Sequence, residues 1–213
     1  MTVDLRKLGE AGMPEPTTFV RSPQLMNPSD TVLLVIDVQE RLWPHIAERD
    51  QILHRLEFLV EAAQVLGVPI VTTEQYVKGL GPTIEPIATK LPKRIEKIAF
   101  SAGIEREVLD TLDRPGIRKV LLTGIEAHIC VQQTAIDLLA NGFQVYLAVD
   151  GVGSRSPIDR ETALVRMQTS GVMLTTAESA VFEWTTTAGT PTFKKISEMV
   201  KRYPPPSTME RGK

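Results

Sequence analysis

The sequence predicts an α/β fold: one domain with a doubly wound, mostly parallel sheet of about six strands and helices on both faces, a three-layer α/β/α sandwich. Three observations predict it. Short apolar runs rich in β-branched residues, such as TVLLVID, VPIVTTE and FQVYLAVDG, read as strands buried on both faces. Segments of helical period separate them, the rhythm of βαβ crossovers. At 213 residues the chain fits one sizeable α/β domain better than two, and neither an internal repeat nor a linker divides it.

Each element follows in order. Residues 1–30 hold four prolines and no period, so they predict an extended arm that packs on a partner. The domain proper spans 31–203. TVLLVID (31–37) is the first strand. Residues 50–66 have helical periodicity and stop at Gly67. VPIVTTE (68–74) is the second strand. The stretch 76–86 carries two glycines and two prolines and reads as a loop, with Gly79-Leu80-Gly81-Pro82 either an active-site lid or an ordinary turn. RIEKIAF (94–100) fits a third strand and 104–114 a helix. RKVLLTG (118–124) is the fourth strand, and 128–141 a helix ended by Asn141-Gly142. FQVYLAVDG (143–151) is the fifth strand, followed by a helix over 157–170 and a sixth strand at VMLTT. Helices over 177–186 and 192–202 precede a disordered tail, 204–213.

Composition narrows the function. The chain is 42% hydrophobic and 23% charged with a formal net charge of −2, so no basic excess argues for nucleic acid or anionic lipid. No run approaches the ~18 apolar residues of a membrane span, and the N-terminus lacks a secretory apolar core. One cysteine, Cys130, excludes an internal disulfide and makes a reducing, cytoplasmic compartment the expectation. Gly151-Val152-Gly153 follows a strand but lacks the third glycine of a dinucleotide fingerprint.

In doubly wound sheets, ligands bind outside the carboxyl ends of the strands. Three reactive side chains fall there: Asp37, Lys97 and Cys130. Singly, each has a plainer role, as a cap, a solvated lysine or an inert buried thiol. Together they supply a base, an electrostatic stabiliser and a nucleophile. A thiol of pKa ~8.5 needs its proton taken or its thiolate stabilised, which a helix start and an ammonium would do. The expected consequence is a depressed thiol pKa.

VIDVQ (35–39), the lysine of KIAFSA (97–102) and GIEAHICVQQTA (124–135) resemble the three signature segments of the isochorismatase-like cysteine hydrolases, which include nicotinamidases and carbamoylases. The resemblance runs over 31–179, and TTEQYVKGLGPT and DGVGSRS resemble its isochorismatase-domain-containing subgroup. It implies Asp37 as acid/base, Lys97 as electrostatic partner and Cys130 as nucleophile. It also implies a cis peptide at Ile125–Glu126, whose use would be to aim a backbone N–H, with that of Cys130, at an oxyanion. True isochorismatases lack the cysteine, so its presence argues for acyl chemistry.

The departures shape the pocket. Nicotinamidases carry an Asp-x-His metal site with a further histidine near the second strand, whereas this region reads Glu74-Gln75-Tyr76. No metal and no cofactor is expected, and Gln75 and Tyr76 would offer hydrogen bonds to substrate. Aromatics common at the positions of Leu42 and Gly103 are missing, leaving Trp43, Tyr76 and Phe100 to wall the pocket. His45 and His54 suit no metal pair, and His128, two residues before the thiol, points along the helix start, which favours Asp37 as the base. The reading is a metal-independent cysteine hydrolase of a small amide or related C–N bond, assembled as a homo-oligomer, a dimer or larger. Its rivals are a non-catalytic binding scaffold and a redox-responsive single-thiol protein.

Overall fold

The computed structural model describes residues 20–85 and 87–204. The strands are β1 (Thr31–Ile36), β2 (Ile70–Gln75), β3 (Arg94–Lys97), β4 (Lys119–Ile125), β5 (Gln144–Gly153) and β6 (Met173–Thr175). The helices are α1 (Arg49–Leu66), α2 (Val77–Leu80), α3 (Arg106–Leu112), α4 (Gln132–Ala140), α5 (Pro157–Thr169), α6 (Ala177–Thr185) and α7 (Pro191–Arg202). The six strands form one sheet in the order β3-β2-β1-β4-β5-β6, with every neighbouring pair parallel. Chain order reverses between β1 and β4, the switch point at which such sheets open a crevice.

Alternation along β1 builds the layers. Leu33 and Val35 pack with Leu56, Leu59, Val181, Trp184 and Ile196, so α1, α6 and α7 cover one face. Val32, Leu34 and Ile36 pack with Val108, Leu112, Ala135, Leu138, Ala163 and Met167, so α3, α4 and α5 cover the other. Each fully buried Leu or Val is worth roughly 1.5–3 kcal/mol of transfer free energy, which makes the central strand the anchor of both cores. Gly124 lets β4 approach β1, since a Cβ there would fall 2.1 Å from the Ile36 carbonyl oxygen.

The N-terminal arm is described only from residue 20. Over 20–30 it packs on its own chain: Met26 is fully buried, its N–H donates to Glu183 Oε2 at 2.8 Å, and Lys119 Nζ reaches the Leu25 carbonyl at 2.8 Å and Asp30 Oδ2 at 2.6 Å. The rest of that arm, 1–19, and the tail over 205–213 lie outside the described residues. The loop over 76–86 contains the single helical turn α2 and is tied to the end of β1. Gln39 Nε2 donates to the Gly81 carbonyl, Arg41 Nη1 to that of Gly79, and the backbones of Glu40 and Arg41 to Pro82 and Leu80. None of the described helices is long and apolar enough to cross a membrane.

Candidate active site at the strand ends

Asp37 follows β1 directly and has a left-handed backbone, φ 50°, a conformation that aspartate tolerates better than most residues. This kink leaves it fully buried. Its Oδ1 accepts a 2.7 Å hydrogen bond from Thr73 Oγ1 on β2. Its Oδ2 lies 2.7 Å from Lys97 Nζ, both side chains being 0% exposed, and has no directional hydrogen bond of its own. The contact with Lys97 is an ion pair held by charge.

Lys97 ends β3 and reaches past β2 to Asp37. Its ammonium also donates to Gln75 Oε1 at 2.6 Å, to the Phe100 carbonyl at 2.9 Å and to that of Ala99 at 3.2 Å. Those carbonyls turn back toward the ammonium, which explains why β3 stops at Lys97 instead of running on to residue 100. Gln75 is committed at both ends of its amide, because Nε2 donates to the Ile98 carbonyl at 2.6 Å. It therefore holds Lys97 in place, with one N–H of its amide engaged by the Ile98 carbonyl.

Cys130 lies in a π-helical turn, Ala127–Val131, between β4 and α4. The N–H groups of Ile129 and Val131, on either side of it, both donate to the Glu126 carbonyl, at 3.1 and 3.2 Å. The Ile125–Glu126 peptide is cis. The thiol is 5% exposed and interacts with both the Asp37 carboxylate and the Lys97 ammonium. So three side chains from β1, β3 and the turn after β4 meet at the switch point.

The expectation of a depressed thiol pKa is overturned. Burial, and then the negative charge of Asp37, push the Cys130 thiol up to about 12, against the opposing pull of Lys97. The ammonium spends its charge on Asp37, so little remains to stabilise a thiolate. In a pH series, iodoacetamide labelling of this single cysteine is expected to keep rising above pH ~9, past the free-thiol midpoint of ~8.5. A plateau reached below that midpoint would show a thiolate at rest.

The aromatic candidates are more peripheral. Trp43 is half-buried against the α1-side core. Tyr76 and Phe100 are 49% and 56% exposed, and the Tyr76 ring lies over Gly79, where an added Cβ would be 2.3 Å from Cε1. Gly103 admits no side chain, since a Cβ would sit 2.9 Å from that of Asp137. His128 turns away from the thiol: Nδ1 is 3.0 Å from Ser154 Oγ and Nε2 is 3.9 Å from Asp159. Glu74 is occupied by the Thr83 N–H and hydroxyl, at 2.7 and 2.6 Å. Among the described residues, no group of three or more His, Cys, Asp or Glu side chains is placed to hold a metal ion.

Sequence reasoning missed two supports. Thr73 orients the Asp37 carboxylate, and Gln39 clamps β1 to the Gln75 backbone, accepting from its N–H at 2.7 Å and donating to its carbonyl at 2.9 Å. The signal was present in the inward threonine of VTTE and in the glutamine of VIDVQ, but neither residue type announces its partner.

Known proteins share this fold. Residues 31–179 match the isochorismatase domain family. Isochorismatase domain-containing protein 2 from Homo sapiens is 40% identical over 182 residues, covering 84% of this chain and 87% of that protein. Isochorismatase domain-containing protein 1 from Salmo salar is 38% identical over 181 residues, 84% of this chain, and this chain spans only 64% of its length. Among solved structures, the MAR1 ribonuclease from Caenorhabditis elegans superimposes with a TM-score of 0.80 at 34% identity, over 88% of this chain and 98% of that one. YcaC from Escherichia coli, described as an octameric hydrolase of unknown specificity, shares the fold with a TM-score of 0.78 at 19% identity, over 87% and 94% of the two chains.

Proposed function

Because this chain belongs to the isochorismatase family, we propose that it is a cysteine hydrolase of a small amide or related C–N bond, working without metal or cofactor. The observation that carries the reading is the buried meeting of Asp37, Lys97 and Cys130. The thiol is held neutral at rest, with the Asp37 carboxylate beside it. When a carbonyl is bound, the carboxylate takes the thiol proton as sulfur attacks the carbonyl carbon. The oxyanion is met by the N–H of Cys130 with a backbone N–H from the Ile125–Glu126 segment. Asp37 then gives the proton to the leaving nitrogen as the C–N bond breaks. Water, deprotonated by Asp37, cleaves the thioester, releasing the acid and restoring the thiol. Lys97 keeps the carboxylate ionised and in place, and Tyr76, Phe100 and Trp43 stand as the pocket wall.

The rival readings fit less well. A redox sensor needs an accessible thiolate, whereas this thiol is 5% exposed and pushed up in pKa. A scaffold has no use for an ion pair buried beside a nucleophile. The name of the C. elegans neighbour raises a ribonuclease reading, but RNA binding calls for a cationic track along the backbone, and the site's lysine is spent internally. A cytoplasmic homo-oligomer completes the proposal.

The test is an amide panel read by intact-mass spectrometry. The expected result is an acyl adduct on wild type that disappears with time, accompanied by free amine or ammonia, and neither from Cys130→Ala. RNA cleavage by wild type but not by Cys130→Ala, with no amide accepted, would replace this reading with the ribonuclease.

A further inference from the structure

We propose that Arg155 is the specificity residue of this site and that the substrate carries a carboxylate, a claim that rests on the hydrolase reading above. Arg155 follows β5, the strand beside β4 in the sheet, so it stands at the strand-end face one strand from the cysteine turn. Neighbouring strands lie ~4.8 Å apart, well within the reach of an arginine side chain.

The guanidinium is tethered in a particular way. Glu126, 3% exposed, uses its Oε2 to accept from both the Arg155 backbone N–H at 3.0 Å and Arg155 Nε at 3.1 Å. Glu126 is also the residue whose carbonyl holds the N–H groups flanking Cys130. One residue therefore positions the nucleophile turn and the arginine together. Binding through Nε leaves the two terminal nitrogens without a bond to Glu126, and among the described residues neither has a hydrogen-bond or ion-pair partner. The side chain is 58% exposed. Two free terminal N–H₂ groups on a guanidinium locked at Nε form the planar fork that takes a carboxylate in bidentate fashion.

The surrounding charges favour a monoanion over a phosphate. Arg160 is committed to the Val149 and Val152 carbonyls. Asp159 lies 3.9 Å from His128, which also contacts Ser154 next to Arg155, and its carboxylate opposes a dianion. Glu126 already matches the Arg155 charge, so the two unbonded terminal N–H₂ groups hold a ligand by hydrogen bonds, and one negative charge is accommodated better there than two. The substrate class is thus a small amide with a carboxylate placed to bridge from Arg155 to a carbonyl at Cys130.

The single cysteine makes the test direct. Wild type and Arg155→Gln are alkylated with iodoacetate and, separately, iodoacetamide, which differ in charge but react with the same sulfur. In Arg155→Gln the iodoacetate rate is expected to fall about tenfold, the loss of one charge-assisted anchor, with the iodoacetamide rate unchanged. An equal fall for both reagents would make Arg155 a structural support of the cysteine turn and overturn the proposal, as would no change for either. Saturation-transfer NMR with propionate gives a readout independent of the thiol. Signal in wild type and none in Arg155→Gln supports the anchor even if Cys130 resists both reagents, the result that would instead count against the nucleophile. Equal propionate signal in both proteins, or displacement of propionate by equimolar inorganic phosphate, overturns the carboxylate assignment.

Discussion

Asp37→Asn is expected to lower turnover of a confirmed amide substrate by about 10²–10⁴-fold, the usual worth of a positioned acid–base group, while making the Cys130 thiol easier to alkylate. The two effects have opposite signs because Asp37 has two relations to the sulfur. As a proton acceptor it is indispensable once a carbonyl is bound, and an amide cannot replace it. As a charge it raises the thiol pKa, second only to burial, whereas Lys97 lowers it. Asparagine removes the opposing charge and leaves the ammonium facing the sulfur, so more thiolate forms at a given pH. The variant keeps its fold if the ammonium stays satisfied, and the Gln75, Ala99 and Phe100 oxygens remain to it. Turnover at the wild-type rate would remove Asp37 from the chemistry. Slower alkylation than wild type would show that the carboxylate activates the resting thiol, contrary to the geometry described above.

The strands were legible because strands buried on both faces leave a continuous apolar signature, and β1 shows it in both cores. Their ends were not, because ends are decided by partners far along the chain. The second strand begins at Ile70 and not at residue 68, since the Val68 N–H closes α1 by donating to the Ala63 carbonyl at 2.9 Å. β5 runs on to Gly153 past an irregularity: Leu122 pairs with Leu147, but Gly124 pairs with Val152. The Thr123 hydroxyl holds the Gly151 carbonyl at 2.6 Å across that bulge. No local pattern marks such an insertion. The helix expected over 128–141 starts as a π turn for the same reason, its first N–H groups being claimed by the Glu126 carbonyl.

The site divides along similar lines. Asp37, Lys97 and Cys130 could be found because strand ends are where a doubly wound sheet places its chemistry, and their types complement one another. The sign of the thiol shift could not be found, since it depends on which of two opposite charges stands nearer in effect and on how much water is lost. The bond between Gln75 and Lys97 was not legible either, because a polar residue at a strand end does not announce its partner. Arg155 sat unremarked in DGVGSRS, because its importance rests on a glutamate twenty-nine positions away.

Lys97→Met is expected to destabilise the protein by about 3–5 kcal/mol, the cost of leaving one member of a buried ion pair without its partner. Methionine matches the length of the lysine stem, so a cavity contributes little and the loss is electrostatic. The Asp37 carboxylate, fully buried, keeps only neutral partners, the Thr73 hydroxyl at 2.7 Å and the Cys130 thiol. Gln75 Oε1 and the Ala99 and Phe100 carbonyls lose their donor too. If the penalty is the stranded charge, removing that charge must return part of it. The double variant Asp37→Asn/Lys97→Met should therefore unfold at a urea concentration between those of Lys97→Met and wild type, a non-additivity that a double-mutant cycle isolates. A Lys97→Met protein as stable as wild type would mean that water reaches the pair. A double variant less stable than Lys97→Met would mean that the lysine is held for its packing and carbonyl contacts, with the carboxylate incidental. The same cycle bears on catalysis, because Lys97→Met should also slow thiol alkylation where Asp37→Asn speeds it. A cation that lowers the thiol pKa and an anion that raises it can be this close only if each is the other's counter-charge. That mutual neutralisation keeps the nucleophile protonated until a substrate displaces the balance.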